Sequence, residues 1–168
     1  GASNTTGGWN TFLGTSSGQS NTLGSDNTFV GIGSGAFNTT GSSNTFLGDK
    51  AGYLNTTGIN NIFLGFQAGE SNTTGSNNIL IGYDIDAPFF GTNNFLRIGN
   101  VIYGDLSTGN VGIGTATPTQ RLDVVGNIQA SGDICSGDGN CLNAPDAMFQ
   151  RVEANGFLNK NTATCPAG

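Results

Sequence analysis

The stretch that decides the fold begins with NTTGGWNTFLGTSSGQS (residues 4–20), and its pattern recurs without insertion or deletion. Four rows of equal length follow it: NTLGSDNTFVGIGSGAF (21–37), NTTGSSNTFLGDKAGYL (38–54), NTTGINNIFLGFQAGES (55–71) and NTTGSNNILIGYDIDAP (72–88). A row this short cannot fold alone, so its apolar face must be covered by the neighbouring rows. The period therefore predicts a solenoid in which each row forms one coil.

The apolar centre of every row is a short run of β-branched, aromatic or aliphatic residues between an asparagine and a glycine. These runs are TFL (11–13), TFV (28–30), TFL (45–47), IFL (62–64) and ILI (79–81). Such runs between turn formers indicate strands, and no helical period of apolar residues occurs in the rows. The sequence thus predicts an all-β, parallel β-solenoid. Its asparagine columns are expected to form side-chain amide ladders, and its glycines to turn the corners.

Adjacent residues of a strand point to opposite faces, so Phe12 and Leu13 cannot both line the inside of the coil. The same holds for each row, which leaves one candidate core column and one candidate subunit-interface column. The two columns are Phe12, Phe29, Phe46, Phe63 and Leu80, and Leu13, Val30, Leu47, Leu64 and Ile81. Whichever column faces outward would form an apolar ridge that monomers seldom expose. We therefore expect a homotrimer of parallel solenoids to cover it.

Composition restricts the function further. Gly, Asn, Thr and Ser supply 84 of the 168 residues, whereas Asp, Glu, Lys and Arg supply 16. The chain has no His, and its glutamates are Glu70 and Glu153, so we expect no enzyme and no catalytic residue. Without His or a C-x-x-C motif we expect no metal site and no cofactor; Asp84, Asp86 and the later aspartates do not match a calcium-loop register.

The net charge is −6 with a sequence pI near 4.1, and only five residues are basic. This balance argues against nucleic acid and anionic membrane surfaces as partners, and it favours cationic ones. No apolar run approaches the length of about 18 residues that a membrane span requires. With 35% hydrophobic residues, the chain is nevertheless expected to fold.

The composition changes after the repeats, because 12 of the 16 charged residues lie beyond position 80. We predict three parts: a solenoid domain (1–88), a β-rich neck (89–134) and a cysteine-containing tail (135–168). In the neck, apolar residues alternate on both sides of Gly126-Asn127, which indicates a hairpin or a tight corner. In the tail, Met148, Phe149 and Val152 would share one face of a weak helix.

The cysteines are the candidate disulfide residues. Cys135 and Cys141 bracket a five-residue loop that a disulfide could close, with free thiols as the alternative. Cys165 is the odd one, so it could bond a neighbouring subunit or pair with either of the others. Asn4, Asn38, Asn55 and Asn72 begin Asn-Thr-Thr sequons, but their place in the repeat favours a structural role at a corner over glycosylation.

The repeats carry a resemblance. NTTGSxNTFLGxxAG is similar to the head repeats of trimeric autotransporter adhesins and of related surface and phage tail-fibre proteins. The segment NVGIGTATPTQRLDVVGNIQASGDI (110–134) resembles a stretch found in fibre proteins. The resemblance implies a left-handed parallel β-roll assembled as a trimer, located outside the cell, at the cell surface or on a virion fibre.

Two functions compete at this point. Only three residues precede the first row, so either sequence upstream is missing or another subunit stacks on that end. Stacking would generate a fibre, because head-to-tail contacts propagate without closing. The alternative is an adhesin or receptor-binding segment that recognises a glycan or a host surface. Its candidate contacts are the aromatic residues at variable repeat positions: Trp9, Phe37, Tyr53, Phe66 and Tyr83.

Overall fold

The computed structural model describes residues 1–129 and the backbone of residues 134–135 and 141–142. In this part of the chain every regular element is a β-strand, as the sequence predicted. The strands are β1 Thr11–Leu13, β2 Thr28–Val30, β3 Thr45–Leu47, β4 Ile62–Leu64, β5 Ile79–Ile81, β6 Phe95–Ile98, β7 Ile102–Asp105, β8 Asn110–Ile113, β9 Leu122–Val124, β10 Ile134–Cys135 and β11 Cys141–Leu142. The chain divides into two compact units, Gly1–Asn127 and Ile128–Gly168.

Strands β1 to β5 form a parallel β-solenoid with one coil for each row of the repeat, as predicted. Each strand pairs with the next in a register of one row, so that Phe12 lies opposite Phe29 and Phe29 opposite Phe46. The turns between the strands are also hydrogen-bonded from coil to coil; for example, the Gly35 N–H donates to the Ala51 carbonyl at 2.9 Å. Backbone pairing therefore holds neighbouring coils together around the circuit and not only along the sheet.

The phenylalanine column lines the inside of the solenoid. The rings of Phe29, Phe46 and Phe63 are fully buried, and successive rings stack with centroids 4.8 Å apart. Each ring packs against a glycine of its own coil: a Cβ on Gly52 would stand 2.4 Å from the Phe46 ring. The phenylalanine side chain fits inside the coil because the residue that it faces is a glycine, which has no side chain.

The first asparagine column forms the predicted amide ladder. The side-chain Nδ2 of Asn38 donates to Asn21 Oδ1 at 2.7 Å, and that of Asn55 donates to Asn38 Oδ1 at 2.8 Å. The same Nδ2 group also donates to the carbonyl of the glycine three residues on, as from Asn55 to Gly58 at 3.2 Å. Each amide thus joins two coils and closes its own corner.

The second asparagine column bonds mainly to backbone rather than to itself. Asn44 Oδ1 accepts from the Asn61 N–H at 3.0 Å, and Asn44 Nδ2 donates to the Gly58 carbonyl at 2.8 Å. At the last row the pattern is completed by the following segment, because Asn78 Oδ1 accepts from the Phe95 N–H at 2.9 Å.

The sheet continues past the last recognisable row. β6 pairs in parallel with β5 at the same register of one row, so that Arg97 stands opposite Leu80 in the core column. β7 and β8 then add antiparallel neighbours, and β9 pairs in parallel with β8. The sheet therefore has nine strands in sequence order across residue 88, and its two antiparallel pairings lie in the segment after the repeats, for which the sequence predicted β-structure without a strand direction.

Arg97 closes the solenoid core at this end. Its Nη1 donates to the Asp86 carbonyl at 2.8 Å and its Nε to the Gly99 carbonyl at 3.0 Å. The guanidinium also lies 5.8 Å from the centroid of the Tyr103 ring. A planar group with five donors thus satisfies carbonyls where the core column passes from Leu80 to Arg97.

The second unit contributes β10 and β11, which pair antiparallel with Cys135 directly opposite Cys141. This register is compatible with the predicted disulfide, but the side chains of both residues, like Cys165, lie outside the described residues. The helical face predicted for Met148, Phe149 and Val152 also lies outside them. At the predicted hairpin or tight corner, Gly126 has φ 134°, a conformation that glycine adopts readily.

Candidate interaction surfaces

The outward face of the sheet presents the column predicted to contact other subunits. Leu13 is 66% exposed and Leu47 46%, while Val30, Leu64 and Ile81 are half-buried. The strand residue two positions before each of these shares the face, and it changes along the axis. The first three coils carry Thr11, Thr28 and Thr45, and the next two carry Ile62 and Ile79. The face is therefore uncharged throughout and most apolar toward β5.

The candidate ligand contacts lie mostly at the surface, in two aromatic pairs. Phe37 and Tyr53 meet edge to face with centroids 5.0 Å apart, and the Lys50 ammonium lies 5.9 Å from the Tyr53 ring. Phe66 and Tyr83 stack with centroids 5.2 Å apart and planes 12° apart. Tyr83 is 75% exposed, so one aromatic surface of this pair faces solvent.

Trp9 belongs to neither pair. It is 87% exposed and has φ 54°, a left-handed conformation that costs a bulky residue about 1–2 kcal/mol. The equivalent positions of later coils hold Asp26, Ser43 and Asn60 in the same conformation, and Asp and Asn tolerate it far better. The structure brings Trp9 into no cluster with the other four candidates.

All four sequon asparagines belong to the first ladder, and three of them are buried. Asn38, Asn55 and Asn72 are almost fully buried, and their Nδ2 groups donate hydrogen bonds within the solenoid. Attachment of a glycan to Nδ2 is incompatible with this arrangement, which confirms their structural role. Asn4 is exposed and donates to the Gly7 carbonyl at 2.7 Å.

A cavity that sequence reasoning missed lies where the first asparagine ladder stops. It measures about 230 Å³ and is lined by Ser71, Asn72, Asp86 and the Phe89-Phe90 pair, among others. The next ladder position is Phe89, which has no amide, so among the described residues Asn72 Oδ1 has no hydrogen-bond partner although Asn72 is only 2% exposed. The sequence feature that could have predicted this cavity is Phe89, which replaces the ladder asparagine one row after Asn72.

Asp105 forms a hydrogen-bonded turn with the residues that follow it. Asp105 Oδ1 accepts from the hydroxyl and the N–H of Ser107 and from the N–H of Thr108, and these bonds hold the pKa of Asp105 below its ordinary value. The arrangement closes the turn between β7 and β8. Within residues 1–129 no group of three or more Cys, Asp or Glu side chains is placed to hold a metal ion.

No protein-family model, curated protein or solved structure matches this chain significantly. The described residues contain no helix that is long and apolar enough to cross a bilayer. The resemblance to adhesin head repeats therefore stays a prediction that rests on the repeat motif. Evidence on function comes from the outward face of β1 to β5, the two aromatic pairs and the cavity at Asn72.

Proposed function

We propose that the chain is a structural subunit of an extracellular or virion fibre, in which three parallel solenoids associate and the trimers stack end to end. In this proposal the coils form a left-handed β-roll and residues 89–134 serve as its neck. The observation that supports it is the uncharged, largely apolar outward face of β1 to β5, with Leu13 66% exposed.

The face suits a copy of the same chain better than an unrelated partner. Its column recurs once in every row of the repeat, so parallel copies would meet in the same register along their whole length. A symmetric assembly buries such a surface on every copy at once. The aliphatic column of each coil would then be removed from water, which contributes about 25 cal/mol per Å² of apolar surface.

Longitudinal stacking is supported by the way the coils bond to one another. Successive strands pair in parallel in a constant register of one row, so each coil bonds its two neighbours through equivalent N–H and C=O groups. Residues 1–3 already bond as the last three positions of a coil: the Ser3 N–H donates to the Gln19 carbonyl at 3.2 Å, as the Ser20 N–H donates to the Ala36 carbonyl. The same bonding pattern could therefore continue axially across a junction.

The test combines native electron microscopy with the mass of the full chain in solution. We expect fibres or rod-shaped trimers for the wild-type chain, and folded monomers for Leu47→Lys, which places three charges in the shared face. Leu54→Lys is the matched control, because it makes the same change at an exposed leucine outside the strands, in the turn segment that follows β3. A monomeric wild-type chain, or a Leu47→Lys variant that still forms trimers, would contradict the proposal.

The second candidate is a glycan-binding segment, which the exposed Phe66–Tyr83 pair favours. Aromatic faces next to polar groups recognise sugars through apolar contact and hydrogen bonding. Screening the wild-type chain and Tyr83→Ala on a glycan array separates the candidates, since a scaffold would bind nothing. Binding that Tyr83→Ala abolishes would favour recognition.

A further inference from the structure

The end of the first asparagine ladder leaves an unusual acceptor. In every earlier rung Oδ1 accepts from the asparagine of the next row, as Asn55 Oδ1 does from Asn72 Nδ2 at 2.9 Å. Asn72 lines the cavity at this end of the ladder, where the next ladder position is Phe89, and its Oδ1 is itself closed off from solvent. A buried carbonyl oxygen without a donor is destabilising, so this site favours any ligand that brings an N–H group.

The other walls of the cavity specify what kind of donor fits. Asp86 is half-buried and its Oδ1 accepts from the Ser71 N–H at 3.0 Å, which places a carboxylate next to the ladder residue. Phe89 and Phe90 are 79% and 66% exposed, so their rings are available to a ligand. An amide acceptor, a carboxylate and aromatic rings together match a cation that carries N–H donors and an apolar stem.

We propose that this cavity binds a primary alkylammonium group, supplied by a lysine side chain of a partner or by a free polyamine. The ammonium would pair with Asp86 while its methylene stem packs on Phe89 and Phe90, and it would donate to Asn72 Oδ1 once the atoms that cover this oxygen move aside. A volume of about 230 Å³ accommodates such a group. The net charge of −6 would raise the local concentration of cations around the chain. The inference does not depend on the fibre, so the two can fail separately.

The test is a titration of the full-length, ¹⁵N-labelled chain with n-butylammonium, followed by amide chemical shifts. We expect shifts centred on residues 71–74 and 86–90, and none with n-butanol, which has the same stem without the charge. Phe89→Asn supplies the missing ladder amide, so it should abolish the shifts while raising the unfolding temperature. Phe89→Leu changes the same side chain without adding a donor and should retain binding.

Asp86→Asn keeps an acceptor for the Ser71 N–H but removes the charge, and it should weaken binding about fivefold. Putrescine and an acetylated lysine tripeptide then distinguish the sources: binding of either supports the site and identifies a polyamine or a lysine side chain. The proposal is overturned if n-butylammonium causes no local shifts, if n-butanol causes the same shifts, or if Phe89→Asn binds as well as the wild-type chain.

Discussion

At the scale of the residue, asparagine is the side chain that this fold depends on. Its amide carries two donors and an acceptor in one plane, so Asn55 can bond the preceding rung, its own corner and the following rung together. Threonine at the next position works similarly, because the Thr56 hydroxyl donates to the Thr73 carbonyl at 2.9 Å. The asparagines of the two columns are thus internal structural groups, whereas Thr11, Thr28 and Thr45 lie on the exposed face of the sheet.

Asn55→Asp tests the ladder with almost no change in shape. The carboxylate lacks both donors of Nδ2 and would be ionised at a fully buried position, so we expect a loss of about 3 kcal/mol in the free energy of unfolding at pH 7. Burial raises the folded-state pKa of the introduced acid above its unfolded value of about 3.9. The loss should therefore grow as the pH rises through about 4 and shrink below it.

Asn60→Asp is the matched control, since it makes the same change in the same coil at an exposed residue. Urea denaturation from pH 3 to pH 8 should show a change within about 0.5 kcal/mol for this variant. Equal losses for both variants, or a pH-independent loss for Asn55→Asp, would contradict the structural role of the ladder.

At the scale of the element, the repeat predicted every strand of the solenoid. The bounds of β1 to β5 coincide with the TFL, TFV, IFL and ILI runs. The pattern could not decide which column faces inward, because Phe46 and Leu47 alternate equally well in either sense. The deciding contact is the one between the Phe46 ring and Gly52, which depends on how the coil closes.

β6 was harder to predict as a solenoid strand, because the asparagine columns stop before it. Its register is indicated by Asn94 and Gly99, which stand one row after Asn77 and after the corner glycine Gly82. The antiparallel strands β7 and β8 carry no repeat at all, so their direction depends on the turns that connect them. The exposed aromatic residues were predictable. The cavity at Asn72 was not, because it follows from which asparagine side chains bond to each other in the folded coil.

Arg97→Met tests the closure of the core at β6. Methionine preserves the apolar stem but leaves the Asp86 and Gly99 carbonyls without their donors, so we expect a loss of about 2 kcal/mol in the free energy of unfolding. Amide hydrogen exchange should accelerate most in β5 and β6. Arg121→Met removes an exposed arginine that bonds the Thr108 carbonyl, and it should change stability by less than about 0.5 kcal/mol. A similar effect of both substitutions would argue against a specific cap.

At the scale of the whole unit, stability comes from the repetition of one interface. Each internal coil contacts its two neighbours through the sheet, the phenylalanine stack and the amide ladders, and none of these contacts depends on a particular coil. A chain built this way behaves as a nearly one-dimensional array whose stability rises with the number of interfaces. The fold therefore requires that each row keep its length of 17 residues, but it does not require a particular number of rows.

Deleting residues 38–54 tests this requirement, because it removes one coil and joins Phe37 to Asn55 with every column still in register. We expect the shortened chain to fold with the same far-ultraviolet circular dichroism per residue and a single transition at a lower unfolding temperature, since one coil interface is lost. Deleting residues 39–54 removes one residue fewer and places every later side chain out of register. A one-residue slip turns each strand's inward residues to the other face, so Phe63 would point to solvent and Ile62 into the core. That variant should fail to form the solenoid, and folding of both deletions to equal stability would show that the period does not organise the molecule.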